Sequence, residues 1–221
     1  MQKGGGMRGP FGRGLDPGRE TARIEAFSDG VIAIAITLLV LEIRVPEREE
    51  GHDLSSGLPD LWPSYVGFAL SFVIIGIIWA NHHEMFGFIE RANRTLVLLN
   101  LLFLLCVGFL PFPTALLAEY LSHEGERTAV EVYSGWMLAT ALSFCLLWWY
   151  PRRAGLISPI ADPRAVSNMV RSFRIGPPSY VAAFLISFVS TWASLILLAL
   201  LALAYLIPPS WLDRSPESAA Q

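Results

Sequence analysis

The hydrophobic positions of this chain fall in long, almost uninterrupted runs. Four runs reach the ~20 apolar residues that a helix needs to cross a bilayer. A fifth stretch, 176–208, is too long for one ordinary span, and Ser190 and Thr191 at its centre are typical of a helix start. One long tilted helix over this stretch is the alternative. We expect six spans, at 26–45, 63–86, 95–119, 129–150, 176–190 and 192–208.

The composition supports an all-α integral membrane protein. Of the 221 residues, 53% are hydrophobic and 16% are charged, whereas soluble domains have about 45–50% apolar and 25% charged residues. The mean hydropathy is +0.49. These values exclude a disordered protein, a nucleic-acid binder with a basic surface and a disulfide-stapled secreted domain. The two cysteines, Cys106 and Cys145, lie in apolar runs without metal-ligand spacing, and we expect buried thiols.

The charges indicate which side of the membrane each loop occupies. With six spans and both termini inside, thirteen of the 16 Lys and Arg residues lie on the inner side. Ten of the 19 Asp and Glu residues lie on the outer side. The positive-inside rule therefore predicts cytoplasmic termini. We expect a disordered arm at 1–22, a membrane domain at 23–208 and a cytoplasmic tail at 209–221, with a basic inner loop at 151–175 that is too small to fold alone.

Polar side chains recur near the inner ends of the first three spans, where ionisable groups are costly and therefore mark candidate sites. They are Arg23, Glu25 and Asp29 of the first span, Trp79, Asn81, His82, His83 and Glu84 of the second, and Asn100 of the third. We expect one hydrogen-bonded cluster that joins three helices. Its role is either interhelical packing alone or, in addition, shaping of a pathway. Shared metal binding by His82 and His83 is disfavoured because adjacent helical residues point about 100° apart.

A helical wheel of the first span places one apolar stripe opposite the acid. At about 100° per residue, Ile34, Leu38 and Leu41 lie on the same side as Arg23 and Phe27, with Thr37 on the flank. Asp29 and Ser28 lie on the far side, towards other helices. Because the membrane-buried part of this helix is almost uniformly apolar, the pattern alone cannot distinguish a lipid-facing stripe from a specialised one.

Several motifs resemble the transmembrane protein 175 family, whose best-known members are endosomal and lysosomal potassium channels. The first is R-x-x-x-F-S-D, formed here by Arg23, Phe27, Ser28 and Asp29. The others follow in order along the chain: Trp79, Asn81, His82 and His83 as W-x-N-H-H, then Asn100, then Pro111, Phe112, Pro113 and Thr114 as P-F-P-T. The chain has one F-S-D element and no internal repeat, so it resembles the single-unit prokaryotic members.

The resemblance implies a homotetrameric cation channel with the first helix of each subunit around a central pore. It implies an apolar constriction at Ile34, Leu38 and Leu41 and a contribution of Thr37 to cation preference. The motif residues and their partners, Trp79, His82 or His83, and Asn100, would hold the tetramer together behind the pore. The chain contains no TVGYG-type element, so a P-loop selectivity filter is not expected, and selectivity for K⁺ over Na⁺ should be modest.

Two other functions stay open at this point. A proton-permeable channel or proton-coupled carrier could use Asp29 and the histidines, although the wheel places Asp29 off the stripe. An intramembrane metalloenzyme could use His82, His83 and Glu84, although it needs further ligands. The leading interpretation predicts a multi-pass channel of the cell membrane that is not an enzyme. It predicts K⁺ as the permeant ion, with no cofactor, no bound metal, no nucleic-acid partner and no small-molecule substrate.

Overall fold

The computed structural model describes residues 17–46 and 54–206, and nearly all of them are helical. The predicted all-α class is confirmed. The helices are α1 (Pro17–Leu38), followed by a 3-10 turn (Leu39–Glu42), α2 (Leu54–Asp60), α3 (Trp62–Gly87), α4 (Arg94–Gly108), α5 (Pro111–Tyr120), α6 (Glu126–Arg153), α7 (Pro163–Ser187) and α8 (Thr191–Leu206).

Within the described ranges, four helical segments are long and apolar enough to cross a membrane. They are Gly18–Glu42, Trp62–Gly87, Arg94–Tyr120 and Glu126–Arg153. α8 is apolar but shorter. Lipid offers no hydrogen bonds to a free backbone, so helical segments that satisfy their own polar groups are the form that such apolar runs adopt. These four segments match the first four predicted spans.

The third predicted span is interrupted in its middle, which the sequence analysis did not anticipate. α4 ends at Gly108 and α5 begins at Pro111. Pro111 and Pro113 carry no backbone N–H to continue the helix. The Leu110 N–H turns to the Val107 carbonyl oxygen at 3.1 Å, which leaves the Cys106 carbonyl oxygen without this N–H. The Trp136 indole N–H of α6 donates to the Cys106 carbonyl oxygen at 2.8 Å. A side chain from a neighbouring helix thus satisfies one carbonyl at the break.

The stretch 176–208 is divided as the Ser190–Thr191 pair predicts. α7 ends at Ser187 and α8 begins at Thr191, and the Ser190 hydroxyl oxygen accepts a hydrogen bond from the Ala193 N–H at 3.3 Å. Two element boundaries differ from expectation. α7 starts at Pro163, inside the predicted inner loop, with Asp162 accepting from the Arg164 N–H at 2.9 Å as its cap. α1 starts at Pro17, and the rest of the predicted arm lies outside the described residues, as does the tail at 209–221.

Contacts at the two ends of the bundle show that the helices alternate in direction. At the predicted outer end, the Trp62 and Trp192 rings stack with centroids 6.1 Å apart. The Thr191 hydroxyl there donates to the Glu126 carboxylate. At the predicted inner end, the Ser158 N–H donates to the Phe88 carbonyl oxygen at 2.8 Å. The starts of α3, α6 and α8 therefore lie together, and the start of α7 lies beside the end of α3.

The core lies where α1, α3, α4 and α6 meet. Its fully enclosed side chains include Leu39, Ile75, Phe103, Val107 and Leu147. One face of α1 belongs to this core, whereas its other face is uncovered in the single subunit, and that difference positions the candidate site.

Candidate pore-lining helix and its polar support

The two faces of α1 and its following 3-10 turn differ sharply in burial. Ile32 and Ala35 are each 2% exposed and Leu39 is fully buried. Ile34, Leu38 and Leu41 are 61%, 40% and 69% exposed. The stripe that the wheel places on one side is thus an uncovered apolar row about two turns long, on a helix anchored to the core by its opposite face.

Thr37 lies on the uncovered side of the same helix. Its hydroxyl donates to the helix backbone, to the Ala33 carbonyl oxygen at 3.0 Å and to the Ile34 carbonyl oxygen at 2.9 Å. The hydroxyl proton is therefore directed at the helix, which leaves the oxygen lone pairs directed outward as acceptors. An acceptor next to an apolar row can contact a cation.

A chain of hydrogen bonds on the buried side ties α1 to α3 and α4. The Asn100 side-chain N–H donates to the Ser28 hydroxyl oxygen at 2.8 Å, and that hydroxyl donates to the Ile24 carbonyl oxygen at 2.8 Å. His82 Nε2 lies 2.9 Å from the Asn100 amide oxygen. Because that oxygen can only accept, the neutral tautomer with the proton on Nε2 is assigned to His82.

The His82 side chain of this hydrogen-bonded series is fully buried and stacks on two aromatic rings. His82 has no exposed surface, and its ring stacks on Phe86 and Phe103 with centroids 4.5 and 5.4 Å away. Its Nδ1 has no hydrogen-bond partner among the described residues. The whole polar connection of His82 within the described structure therefore runs through Asn100, which makes Asn100 the central member of the chain.

The other polar residues form a second, more exposed set between α1 and α3. The Trp79 indole N–H donates to the Asp29 carboxylate at 3.0 Å. His83 Nδ1 lies 2.7 Å from the Glu25 carboxylate, and the Trp79 and His83 rings stack at 6.1 Å. The single cluster expected from the sequence is thus two separate sets. Asp29 pairs with tryptophan, and the two histidines serve different partners.

Two residues of the R-x-x-x-F-S-D motif lie outside both sets in the single subunit. Arg23 and Phe27 are exposed, with Phe27 at 56%, and they continue the uncovered side of α1 towards its start. Among the residues that the structure describes, no three His, Cys, Asp or Glu side chains lie close enough to hold a metal ion. Cys106 is buried and Cys145 is half-buried, and both are free thiols.

A third polar connection was missed from the sequence. The Ser71 hydroxyl of α3 lies 2.8 Å from the Thr114 hydroxyl of α5 and 3.0 Å from the Tyr133 hydroxyl of α6, and all three side chains are fully buried. Thr114 belongs to the P-F-P-T element, and a lone serine in an apolar span was an available signal for Ser71. This connection holds α5, which follows the helix break, against α3 and α6.

Comparison with known proteins assigns the chain to a family. The model of the endosomal/lysosomal potassium channel TMEM175 matches residues 23–111. A potassium channel of Chamaesiphon minutus is 49% identical over 178 residues, which cover 79% of this chain and 88% of that protein.

The chain belongs to the TMEM175 family. Its members are ion channels, not enzymes, and the apolar helices agree with a multi-pass membrane protein. A potassium channel of Streptomyces collinus is 46% identical over 84% of this chain and 91% of its own length. The crystal structure of a lysosomal potassium-selective channel TMEM175 homolog from Chamaesiphon minutus superimposes with a TM-score of 0.76 at 45% identity, covering 85% of this chain and 96% of the homolog.

The animal TMEM175 relatives are longer than this chain, and they are named proton channels. The endosomal/lysosomal proton channel TMEM175 of Gallus gallus is 42% identical over 120 residues, which are 50% of this chain and 24% of the chicken protein. The match to the animal members therefore covers about half of this chain and a quarter of theirs.

Proposed function

We propose that this protein is a homotetrameric, potassium-permeable cation channel of the cell membrane. The observation that carries the proposal is the uncovered apolar row of α1, Ile34, Leu38 and Leu41, on a helix whose other face is fixed in the core. Four copies of this row facing one axis make a narrow apolar constriction. The potassium channel names of the two bacterial relatives support K⁺ as the permeant ion.

An apolar constriction of this kind closes by excluding water. Rings of Ile and Leu side chains dewet a narrow pore and reopen it when they rotate or move apart. The Thr37 oxygen beside the row supplies an acceptor for a partly dehydrated cation. Such a pore replaces few of the waters of an ion, so we expect modest selectivity for K⁺ over Na⁺.

The acidic outer surface supports cation permeation. In the proposed orientation, the described outer acids are Glu42, Asp60, Glu119, Glu124, Glu126 and Glu131, whereas Glu47, Glu49, Glu50 and Asp53 lie outside the described residues. Carboxylates at the mouth of a pore raise the local concentration of cations. Arg44 pairs with Glu119 at 3.2 Å, which leaves the balance at this end negative.

The membrane arrangement follows from the alternating helix directions and the positive-inside rule. We propose that the domain 23–208 crosses the bilayer six times, with α7 and α8 as the last two spans and both termini in the cytoplasm. Within this domain, the His82–Asn100–Ser28 chain fixes the rotation of α1 so that its apolar row points to the axis. The exposed Arg23 and Phe27 then lie at the inner mouth, where neighbouring subunits meet.

The test is cation flux through the purified full-length protein in liposomes. We expect K⁺ to pass faster than Na⁺ and the Leu38→Ala variant to raise the resting leak, because a smaller side chain widens the constriction. Leu203→Ala is the matched control, since Leu203 is also an exposed leucine, at 57%, but lies on α8. Absence of cation flux from a correctly oriented tetramer, or equal leak in both variants, would refute the proposal.

A proton-permeable channel is the second candidate, and the name of the animal TMEM175 relatives favours it. The reversal potential in mixed K⁺ and Na⁺ at two pH values separates the two candidates. A current that reverses at the proton equilibrium potential, and that is abolished in Asp29→Asn without loss of the tetramer, supports proton permeation. A potential that follows the K⁺ gradient at both pH values supports the potassium channel.

A further inference from the structure

A cavity of about 570 Å³ lies away from the proposed pore, between α3, α6, α7 and α8. Small-molecule sites typically enclose about 300–1,000 Å³. Its walls come from the inner halves of these helices. The apolar walls include Ile74, Ile77 and Ile78 of α3, Met137 of α6, Met169 of α7 and Leu201 of α8.

Small side chains create the space in this cavity. Ala141, Ala165 and Ala202 line three of its sides, and Gly176 lies against the Tyr205 ring. A Cβ at Gly176 would come within 2.9 Å of the Tyr205 hydroxyl oxygen. The glycine therefore lets Tyr205 lie flat against α7, and a larger residue there would push the ring into the open volume.

The described lining of the cavity carries negative charge alone. Glu84 is the only carboxylate among the described residues that line it, and none of them is Lys, Arg or His. Most of the remaining wall is aliphatic or aromatic, with the amide of Asn81 one turn from Glu84. Among the described lining residues, an anionic head group would find no counter-ion, whereas a cationic one would find Glu84, an exposed carboxylate.

We propose that this cavity binds an amphiphilic amine, with its apolar tail among the isoleucines and Met137 and its protonated amine at Glu84. The site is separate from the ion pathway, and the proposal does not depend on conduction. The same ammonium chemistry occurs in ethanolamine phospholipids, but their phosphate would find no cation among the described lining residues. We therefore expect a free alkylamine to bind more tightly than the phospholipid.

The experiment measures binding of dodecylamine to the purified full-length protein by native mass spectrometry. Dodecanoate and dodecanol have the same tail and serve as matched ligands, and phosphatidylethanolamine is the competitor. We expect saturable binding of one dodecylamine per subunit, with dodecanoate up to about fivefold weaker, as one partly exposed ion pair allows. Excess phosphatidylethanolamine should not displace the amine.

Variants separate recognition of the head from recognition of the tail. Glu84→Gln should weaken dodecylamine about fivefold and leave dodecanol unchanged, whereas Glu90→Gln, an exposed acid outside the cavity, should change neither. Ala141→Phe should abolish binding of all three ligands, and Ala165→Phe is the substitute if the first variant does not fold. Equal binding of amine and carboxylate, unchanged binding in the filled variants, or displacement by the phospholipid would overturn the proposal.

Discussion

The buried chain from His82 through Asn100 to Ser28 predicts strong coupling between two side chains on different helices. We consider the replacements His82→Phe and Asn100→Leu, which approximately preserve volume. His82→Phe leaves the buried Asn100 amide oxygen without its partner, although the Asn100 N–H still donates to Ser28. Asn100→Leu leaves the His82 Nε2–H buried without a partner. The partner of His82 is the Asn100 amide oxygen at 2.9 Å, and both side chains are at most 1% exposed.

The magnitude follows from which groups are stranded. A buried polar group that loses its partner costs about 1–3 kcal/mol, and hydrogen-bonded pairs within membrane proteins couple by about 0.6 kcal/mol on average and 1.7 at most. The double variant strands neither member of the pair, and Ser28 keeps its bond to the Ile24 carbonyl oxygen at 2.8 Å. We therefore expect the double variant to be about 0.6–1.7 kcal/mol more stable than the sum of the single effects predicts.

The measurement is the free energy of unfolding by added SDS in mixed micelles, followed by circular dichroism at one protein concentration. Ser143→Ala is the control. Among the described residues, this buried hydroxyl bonds within its own helix alone, to the Thr140 carbonyl oxygen at 2.8 Å, and its removal should change stability by less than about 0.5 kcal/mol. If the effects of His82→Phe and Asn100→Leu add to within about 0.5 kcal/mol in the double variant, the pair does not hold α3 and α4 together.

Three further predictions concern other contacts. Trp136→Phe should destabilise the protein by about 1–3 kcal/mol, because the Cys106 carbonyl oxygen at the helix break loses its partner; an unchanged SDS midpoint would contradict this. Ser71→Ala should cost about 1 kcal/mol or more, since the Tyr133 hydroxyl loses a buried partner, and the same unfolding assay measures it. Thr37→Val should leave stability within about 0.5 kcal/mol but change the K⁺/Na⁺ permeability ratio, and an unchanged reversal potential would exclude Thr37 from the ion pathway.

The burial of α1 residues agrees with the two sides that the helical wheel predicts. The wheel placed Ile34, Leu38 and Leu41 on one side and Ser28 on the other, and the structure has the first three exposed and Ser28 buried. The polar residues predicted that the Ser28 side faces other helices, and its burial agrees. The nearly uniform apolar pattern could not say whether the opposite stripe faces lipid or has a specialised role.

The polar partners illustrate what the sequence left open. Asp29, the two histidines and Asn100 were expected in one cluster, yet Asp29 bonds to Trp79 while His82 bonds to Asn100. Helix depth can be read from residue number, but pairing depends on the rotation of each helix about its axis. A change of one residue, from His82 to His83, turns a side chain by about 100° and gives it a different partner.

The sequence by itself determined the number and order of the apolar runs and the family motifs. The runs were sufficient to predict helices because a bilayer admits long apolar segments only as self-satisfied helices. Only the tertiary structure decided where α4 breaks into α5, which tryptophan satisfies that break, and that four helices leave a cavity beside Glu84. These features depend on how side chains distant in the chain meet across helices. A nearly uniform apolar pattern carries no record of those meetings.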